Sequence, residues 1–368
     1  MLSRIYVDNY GPLVNFSLPL AREQLFLGRN GAGKSSVLDA VDAVTRFVRG
    51  EGTVDDLFPA RRKTRWDARP EQTFELDVRG PADETYRYRL VIEHDPKRDQ
   101  RRVREEQVAI GTQPAKQALF LAQHGTAHLY RDNGSTGPEV LVDWSRSSLP
   151  TINARNDNTK LTWLKQVLAR IRVASPDPRR LVAFSEREES APTRDLSNFA
   201  SWYRHLNQEY ADSPATMRTS LQEVLPGFHA IRLANEGTGR RLITQWKTEP
   251  HAQPLELALD ELSDGQRVLL TLAALAAEPE GEVSTLFLDE PDNFVALTEI
   301  QPLLMSLRAR PGLQLIVISH HPEVINLQAA EHGLVFERDG LGPTRFRPFS
   351  APADTALTPA EIVARGEA

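Results

Sequence analysis

A chain of 368 residues is long enough for about two domains, and the absence of cysteine excludes a disulfide framework, thiolate metal sites and cysteine nucleophiles. Its 40% hydrophobic and 26% charged fractions describe an ordinary globular protein that needs no covalent staple to hold a core. A net charge of −6 excludes indiscriminate coating of nucleic acid and leaves room only for a local basic patch.

Taken in chain order, Ile5 and Val7 alternate with polar neighbours as a strand, and Asn9-Tyr10-Gly11-Pro12 marks a turn. Leu25-Phe26-Leu27 is a short apolar strand that runs into Gly28. Beyond Lys34, the positions Val37, Ala40, Val41, Val44 and Phe47 keep the spacing of an amphipathic helix. Thr73 to Val78 and Tyr86 to Ile92 predict a strand pair. Residues 100–195 are rich in turn formers, with one helix expected at about Leu161 to Ile171, and read as an inserted α+β subdomain. Leu196 to Leu225 predicts one long helix stopped by Pro226-Gly227. The last third returns to alternation: a helix from about Ser263, a strand at Thr285 to Leu288, a helix at Leu297 to Arg308 and a strand at Leu315 to Ile318. Thr358-Pro359 begins a tail helix. The expected organisation is therefore an N-terminal lobe over 1–99, the insert over 100–195 and a C-terminal lobe over 196–368. No apolar run approaches the ~20 residues of a spanning helix. The N-terminus also lacks the apolar core of an export signal, so a cytoplasmic protein with no membrane association is expected.

Gly28-Arg29-Asn30-Gly31-Ala32-Gly33-Lys34-Ser35 fits G-x-x-x-x-G-K-[ST] between a strand and a helix. Small residues let consecutive backbone N–H groups turn inward around a phosphate, and the helix start adds its positive end. Gly28, Asn30, Gly31, Gly33, Lys34, Ser35 and Ser36 form the expected nucleotide-binding set, with Lys34 reaching the β- and γ-phosphates and Ser35 facing Mg²⁺. A second element, Leu286 to Pro291, is an apolar strand that delivers two carboxylates at its end. Asp289 would hold the Mg²⁺ and Glu290 would act as the catalytic base on water.

Leu262-Ser263-Asp264-Gly265-Gln266, ahead of an apolar helix, resembles the LSGGQ signature of ABC-type ATPases, with Asp264 in place of the first glycine. These motifs, together with Ser319-His320-His321-Pro322 after the strand Leu315 to Ile318, resemble more narrowly the RecF/OLD/SMC-like group of these ATPases. About 230 positions separate Lys34 from Ser263, which is where that group carries an insertion. The resemblance implies an α/β P-loop NTPase fold of ABC/SMC-head type, a mixed sheet with helices on both faces plus the insert. It also implies ATP and Mg²⁺ as cofactors, and ATP hydrolysis by a head-to-tail dimer of this chain with itself. In that family Ser263, Gly265 and Gln266 would grip the γ-phosphate bound by a second copy. His320 of Ser319-His320-His321-Pro322 would be the catalytic switch histidine, with His321 as the alternative, and Gln72 would be the glutamine that touches Mg²⁺. The implied biology is DNA-linked, in repair or in defence against phage or plasmids, with a separate effector protein such as a nuclease as partner. Direct DNA contact is expected through the basic runs at 61–65 and 97–104. The alternatives are a scaffold that holds ATP without turnover and a transporter ATPase subunit.

Overall fold

The computed structural model describes residues 1–95, 100–111, 116–247, 249, 253–352 and 355–366. They form two compact units, and both are discontinuous in sequence. The first comprises Met1–Arg172, Gly333–Pro352 and the last residues from Val363; the second comprises Val173–His332 and a short tail segment ending at Ile362.

The first unit begins with β1 (Leu2–Asp8), β2 (Phe16–Pro19) and β3 (Glu23–Leu27), followed by α1 (Lys34–Arg49) and the one-turn α2 (Val54–Leu57). Then come β4 (Glu71–Arg79), β5 (Thr85–Asp95), β6 (Gln100–Ile110), β7 (Gln117–Gln123), β8 (Thr126–Tyr130), β9 (Thr136–Leu141) and α3 (Thr159–Ala169). Eight strands pair antiparallel in the order β2-β1-β4-β5-β6-β7-β8-β9. Their period-two pattern gives the sheet two unlike faces. Phe74, Leu76, Tyr88, Leu90 and Ile92 are buried on one. On the other, Arg4 and Arg87 each lie 2.7 Å from Asp77, and Arg89 lies 2.7 Å from Glu75, so cross-strand charges are matched. The apolar stripe of α1 meets the sheet through an aromatic chain, Phe47 to Phe58 at 5.5 Å and Phe58 to Phe74 at 5.1 Å.

The chain crosses into the second unit at β10 (Ile171–Ala174) and continues through β11 (Phe184–Ser185), α4 (Phe199–Glu209) and α5 (Asp212–Val224). Next are β12 (Phe228–Glu236), β13 (Gly239–Trp246), β14 (Leu255–Ala258), α6 (Asp264–Ala276), β15 (Thr285–Asp289), α7 (Leu297–Ala309), β16 (Gln314–Ile318) and α8 (Pro322–His332). Strands β15 and β16 pair in parallel, in register from Thr285 opposite Gln314 to Asp289 opposite Ile318. The chain then returns to the first unit with β17 (Gly333–Arg338), which runs parallel to β3, and β18 (Thr344–Pro348), which runs antiparallel to β17. The tail helix α9 (Pro359–Arg365) starts at its proline.

Three expectations are corrected. Residues 100–141 are not an insert, because β6 to β9 extend the same sheet as β4 and β5. The division is into two interleaved units and not into lobes ending at 99 and 195. The single helix over 196–225 is two helices, broken at Tyr210, whose backbone is extended. Pro214 explains the break: its ring would collide with the carbonyl of residue 210, four positions back, in a continuous helix.

Candidate nucleotide site

The phosphate loop belongs to the first unit. Leu25, Phe26 and Leu27 are buried in β3, and the ring of Phe26 packs 4.8 Å from that of Phe336 on the neighbouring β17. Two glycines are dictated by close approach. Gly28 has φ +124°, and a Cβ there would sit 2.2 Å from the backbone oxygen of Phe336. Gly33 has φ +104°, and a Cβ there would sit 2.1 Å from Thr344 Oγ1. The Thr344 hydroxyl donates 2.9 Å to the Ala32 carbonyl, so β18 fixes the loop from behind. Lys34 is buried, and its ammonium donates to the loop's own carbonyls, Gly28 at 2.7 Å and Arg29 at 3.2 Å. These two bonds hold the ammonium over the loop. The first turn of α1 carries no acidic residue to oppose an anion at the helix start.

Asn30, Gly31 and Ser35 are exposed, and Ser36 is half-buried beneath the Gly11 turn. A cavity of about 500 Å³ flanks the loop, between Gly28 to Ala32, the Phe336–Arg338 end of β17 and Arg365 and Gly366 of the tail. Nothing in the sequence signals that the tail contributes to this cavity.

Gln72 is fully buried in β4. Its Nε2 donates 2.9 Å to the Asn9 carbonyl, and its Oε1 lies 2.8 Å from His94 Nε2. Both ends of the amide are occupied inside the sheet, so the expectation that Gln72 touches Mg²⁺ is not met in this conformation.

The second unit holds the other motifs. Leu286, Phe287 and Leu288 are buried and carry Asp289 to the strand end, where its Oδ2 lies 3.8 Å from Arg194 Nη2. Glu290 has φ +49°, a strained value for a residue with a side chain, and its N–H donates 2.9 Å to the Ile318 carbonyl. The Asn293 amide donates 2.8 Å to Glu290 Oε2, and His320 Nε2 stands 3.6 Å from Glu290 Oε1. The two histidines are distinguished by geometry. His321 turns its Nδ1 back to accept the Glu323 N–H at 3.3 Å at the start of α8, while His320 faces the carboxylate. Asp292 is buried beside them, and its carboxyl is pushed up from the usual carboxylate range by burial.

Ser263 caps α6: its Oγ accepts the Gln266 N–H at 3.2 Å, and Gln266 Oε1 accepts the Ser263 N–H at 3.0 Å. Gln266 therefore holds the helix start with its own side chain. Gly265 is required by packing, because a Cβ there would lie 2.7 Å from the Phe294 carbonyl. The signature thus sits against the turn that follows Glu290. The departure at Asp264 is neutralised by Arg179 at 3.3 Å and Arg267 at 3.8 Å. Arg179, Arg194 and Asn293 were not found as site residues by sequence reasoning. Only Asn293, three positions beyond Glu290, carries a local signal.

Ser35 in the first unit and Asp289 in the second each offer a hard oxygen of the kind magnesium takes, and among the described residues no group of three or more His, Cys, Asp or Glu side chains could hold a metal. A small set of protein oxygens suits an ion that keeps its waters and takes phosphate oxygens.

The basic runs fare differently. Arg101, Arg102 and Arg104 of β6 are matched to Asp55, Glu93 and Glu71. Lys97 and Arg98 lie outside the described residues. In the earlier run Arg62 pairs with Asp39 at 2.7 Å, whereas Arg61, Lys63 and Arg65 are not within ion-pair distance of a carboxylate among the described residues. No described helix is long and apolar enough to cross a membrane.

A family model described as "AAA domain, putative AbiEii toxin, Type IV TA system" matches residues 25–326. No curated protein sequence gives a significant match. Among solved structures, an SMC head bound to the C-terminal winged-helix domain of ScpA matches at 11% identity and TM-score 0.55, covering 94% of this chain and 97% of that one. An SMC head with an extended coiled coil, bound to the C-terminal domain of ScpA from Pyrococcus furiosus, matches at 11% identity and TM-score 0.56, covering 94% and 96%. At such identity the likeness establishes the fold, a P-loop NTPase of SMC-head type.

Proposed function

This chain belongs to the AAA-domain family of the AbiEii type, and from that premise we propose that it is an ATP-hydrolysing switch that dimerises around nucleotide and gates a separate effector protein. The observation that carries the catalytic part is Glu290, held in a strained backbone conformation with Asn293 and His320 gathered about its carboxylate. A carboxylate fixed in this way is suited to orient an attacking water and accept its proton. Lys34 would turn from the loop carbonyls of Gly28 and Arg29 to the β- and γ-phosphates, and the N–H groups at the start of α1 would take phosphate oxygens. Ser35 and Asp289 would hold Mg²⁺, which neutralises charge on the phosphates. His320, 3.6 Å from Glu290, would respond to the γ-phosphate. Ser263 and Gly265 of a second copy would close over the same nucleotide, with Gln266 keeping that helix start rigid.

The two SMC heads are complexed with domains of ScpA. By analogy we read this chain as one that works with a partner of its own, in DNA-linked repair or, in keeping with the toxin description of its family, in defence. Two substitutions test the reading. Lys34→Ala should abolish ATP binding. Glu290→Gln should keep binding, slow hydrolysis about 10²- to 10⁴-fold and accumulate an ATP-dependent dimer in sedimentation. Normal turnover by Glu290→Gln would overturn the catalytic assignment.

A further inference from the structure

Residues 60–67 and the ends of β5 and β6 enclose a cavity of about 400 Å³ that shares no lining residue with the phosphate loop. Its cationic lining is Arg61, Lys63, Arg65 and Arg101. Arg101 is committed to Asp55 at 2.6 Å. Arg61 and Arg65 are exposed and Lys63 is half-buried; none of the three is within ion-pair distance of a carboxylate among the described residues, although Lys63 lies close enough to Asp67 to favour its charged form. On the acidic side the lining holds Asp95 and Asp67, and Asp67 is taken up by Arg69. The cavity therefore keeps an excess of positive charge.

His94, only 5% exposed, also lines it. The Gln72 amide donates through Nε2 to Asn9, so it presents its oxygen to the ring, and the ring proton is assigned to His94 Nε2. That leaves Nδ1 as a lone pair, buried and without a hydrogen bond. An orphaned buried acceptor is destabilising and is uncommon enough to ask for a partner.

We propose that this cavity binds a phosphate group. Arg61, Lys63 and Arg65 take the charged oxygens, and one proton, from a P–OH of the ligand or from solvent, bridges His94 Nδ1 to a phosphate oxygen. The phosphate is either part of a nucleic-acid backbone or free in solution, and the same chemistry serves both. Because His94 holds Gln72 through its other nitrogen, occupancy is felt inside β4.

The test uses the full chain with ¹³C-labelled histidine, the His94 signal being identified by its loss in His94→Gln. Inorganic phosphate and a fluorescent single-stranded DNA dodecamer are titrated separately. We expect the His94 signal to move with at least one of them. Movement with phosphate alone assigns the free source; movement with the dodecamer at lower concentration assigns the backbone. Arg61→Glu/Arg65→Glu should weaken the effective ligand at least tenfold and, for the dodecamer, lower the salt slope by about 1.5. Lys63→Glu serves as a second variant should the double one misfold. If neither probe moves the signal, or if the variants bind as the parent does, the proposal is overturned. No turnover is measured, so either result leaves the ATPase reading untouched.

Discussion

Acidification should expose the cost of burying His94. Burial, reinforced by the nearby positive charges of Lys63 and Arg101, lowers its pKa from 6.5 to about 4. The unfolded chain therefore takes up this proton first as pH falls. The stability tied to the neutral ring is present in full above about 6.5 and is lost progressively toward 4. Between pH 7.5 and 4.5, linkage gives a loss of roughly 2 kcal/mol from this one group. The assay is urea denaturation of the parent and of His94→Gln at both pH values. Other groups titrate in both proteins, so the difference between them isolates His94. The parent should lose about 2 kcal/mol more than the variant on acidification, and histidine NMR without ligand should give His94 a midpoint near 4. Equal losses in the two proteins, or a midpoint above 6, would refute the argument that the ring is buried neutral.

Gly28→Ala should cost on the order of 3 kcal/mol and abolish nucleotide binding, because the new methyl meets a backbone oxygen that cannot move aside; thermal melting and nucleotide titration check this. Ser263→Ala should cost about 1 kcal/mol through the lost helix cap. If ATPase activity of the still-folded variant falls more than tenfold, the serine has a second task at the nucleotide. Arg194→Ala should lower the Mg²⁺ concentration for half-maximal turnover about fivefold. A partly buried cation 3.8 Å from Asp289 competes with the metal for that carboxylate by about 1 kcal/mol. An unchanged Mg²⁺ dependence would remove Arg194 from the site.

Legibility in the sequence followed how local each determinant is. The phosphate loop could be read because its motif lies within the consecutive residues Gly28 to Ser35, flanked by an apolar strand and an amphipathic helix, although the strands that fit against its glycines lie far along the chain. Glu290 and the Ser263 cap could be read for the same reason. Arg194 could not, since it sits in a turn-rich stretch and reaches Asp289 only through tertiary folding. Strands β6 and β12 to β14 went unrecognised because charged residues occupy their exposed faces. Arg101, Arg102 and Arg104 looked like a basic run, and only the carboxylates of Asp55 on α2, Glu93 on β5 and Glu71 on β4 show them to be neutralised. Gln72 lies inside β4, which begins two residues before the expected start at Thr73, and which way its amide turns depends on His94 and Asn9, residues far along the chain in opposite directions.

Thr344 lies 312 positions from Ala32, the residue whose carbonyl it holds, and β17 supplies the backbone against which Gly28 is fitted. During synthesis, then, the ribosome releases the lysine-bearing loop long before the strands that shape it. A nascent chain cannot grip nucleotide until residue 344 has emerged, and any fragment that stops short of it should be unable to bind ATP. Nucleotide binding is in this way tied to a strand made some three hundred residues after the loop it shapes.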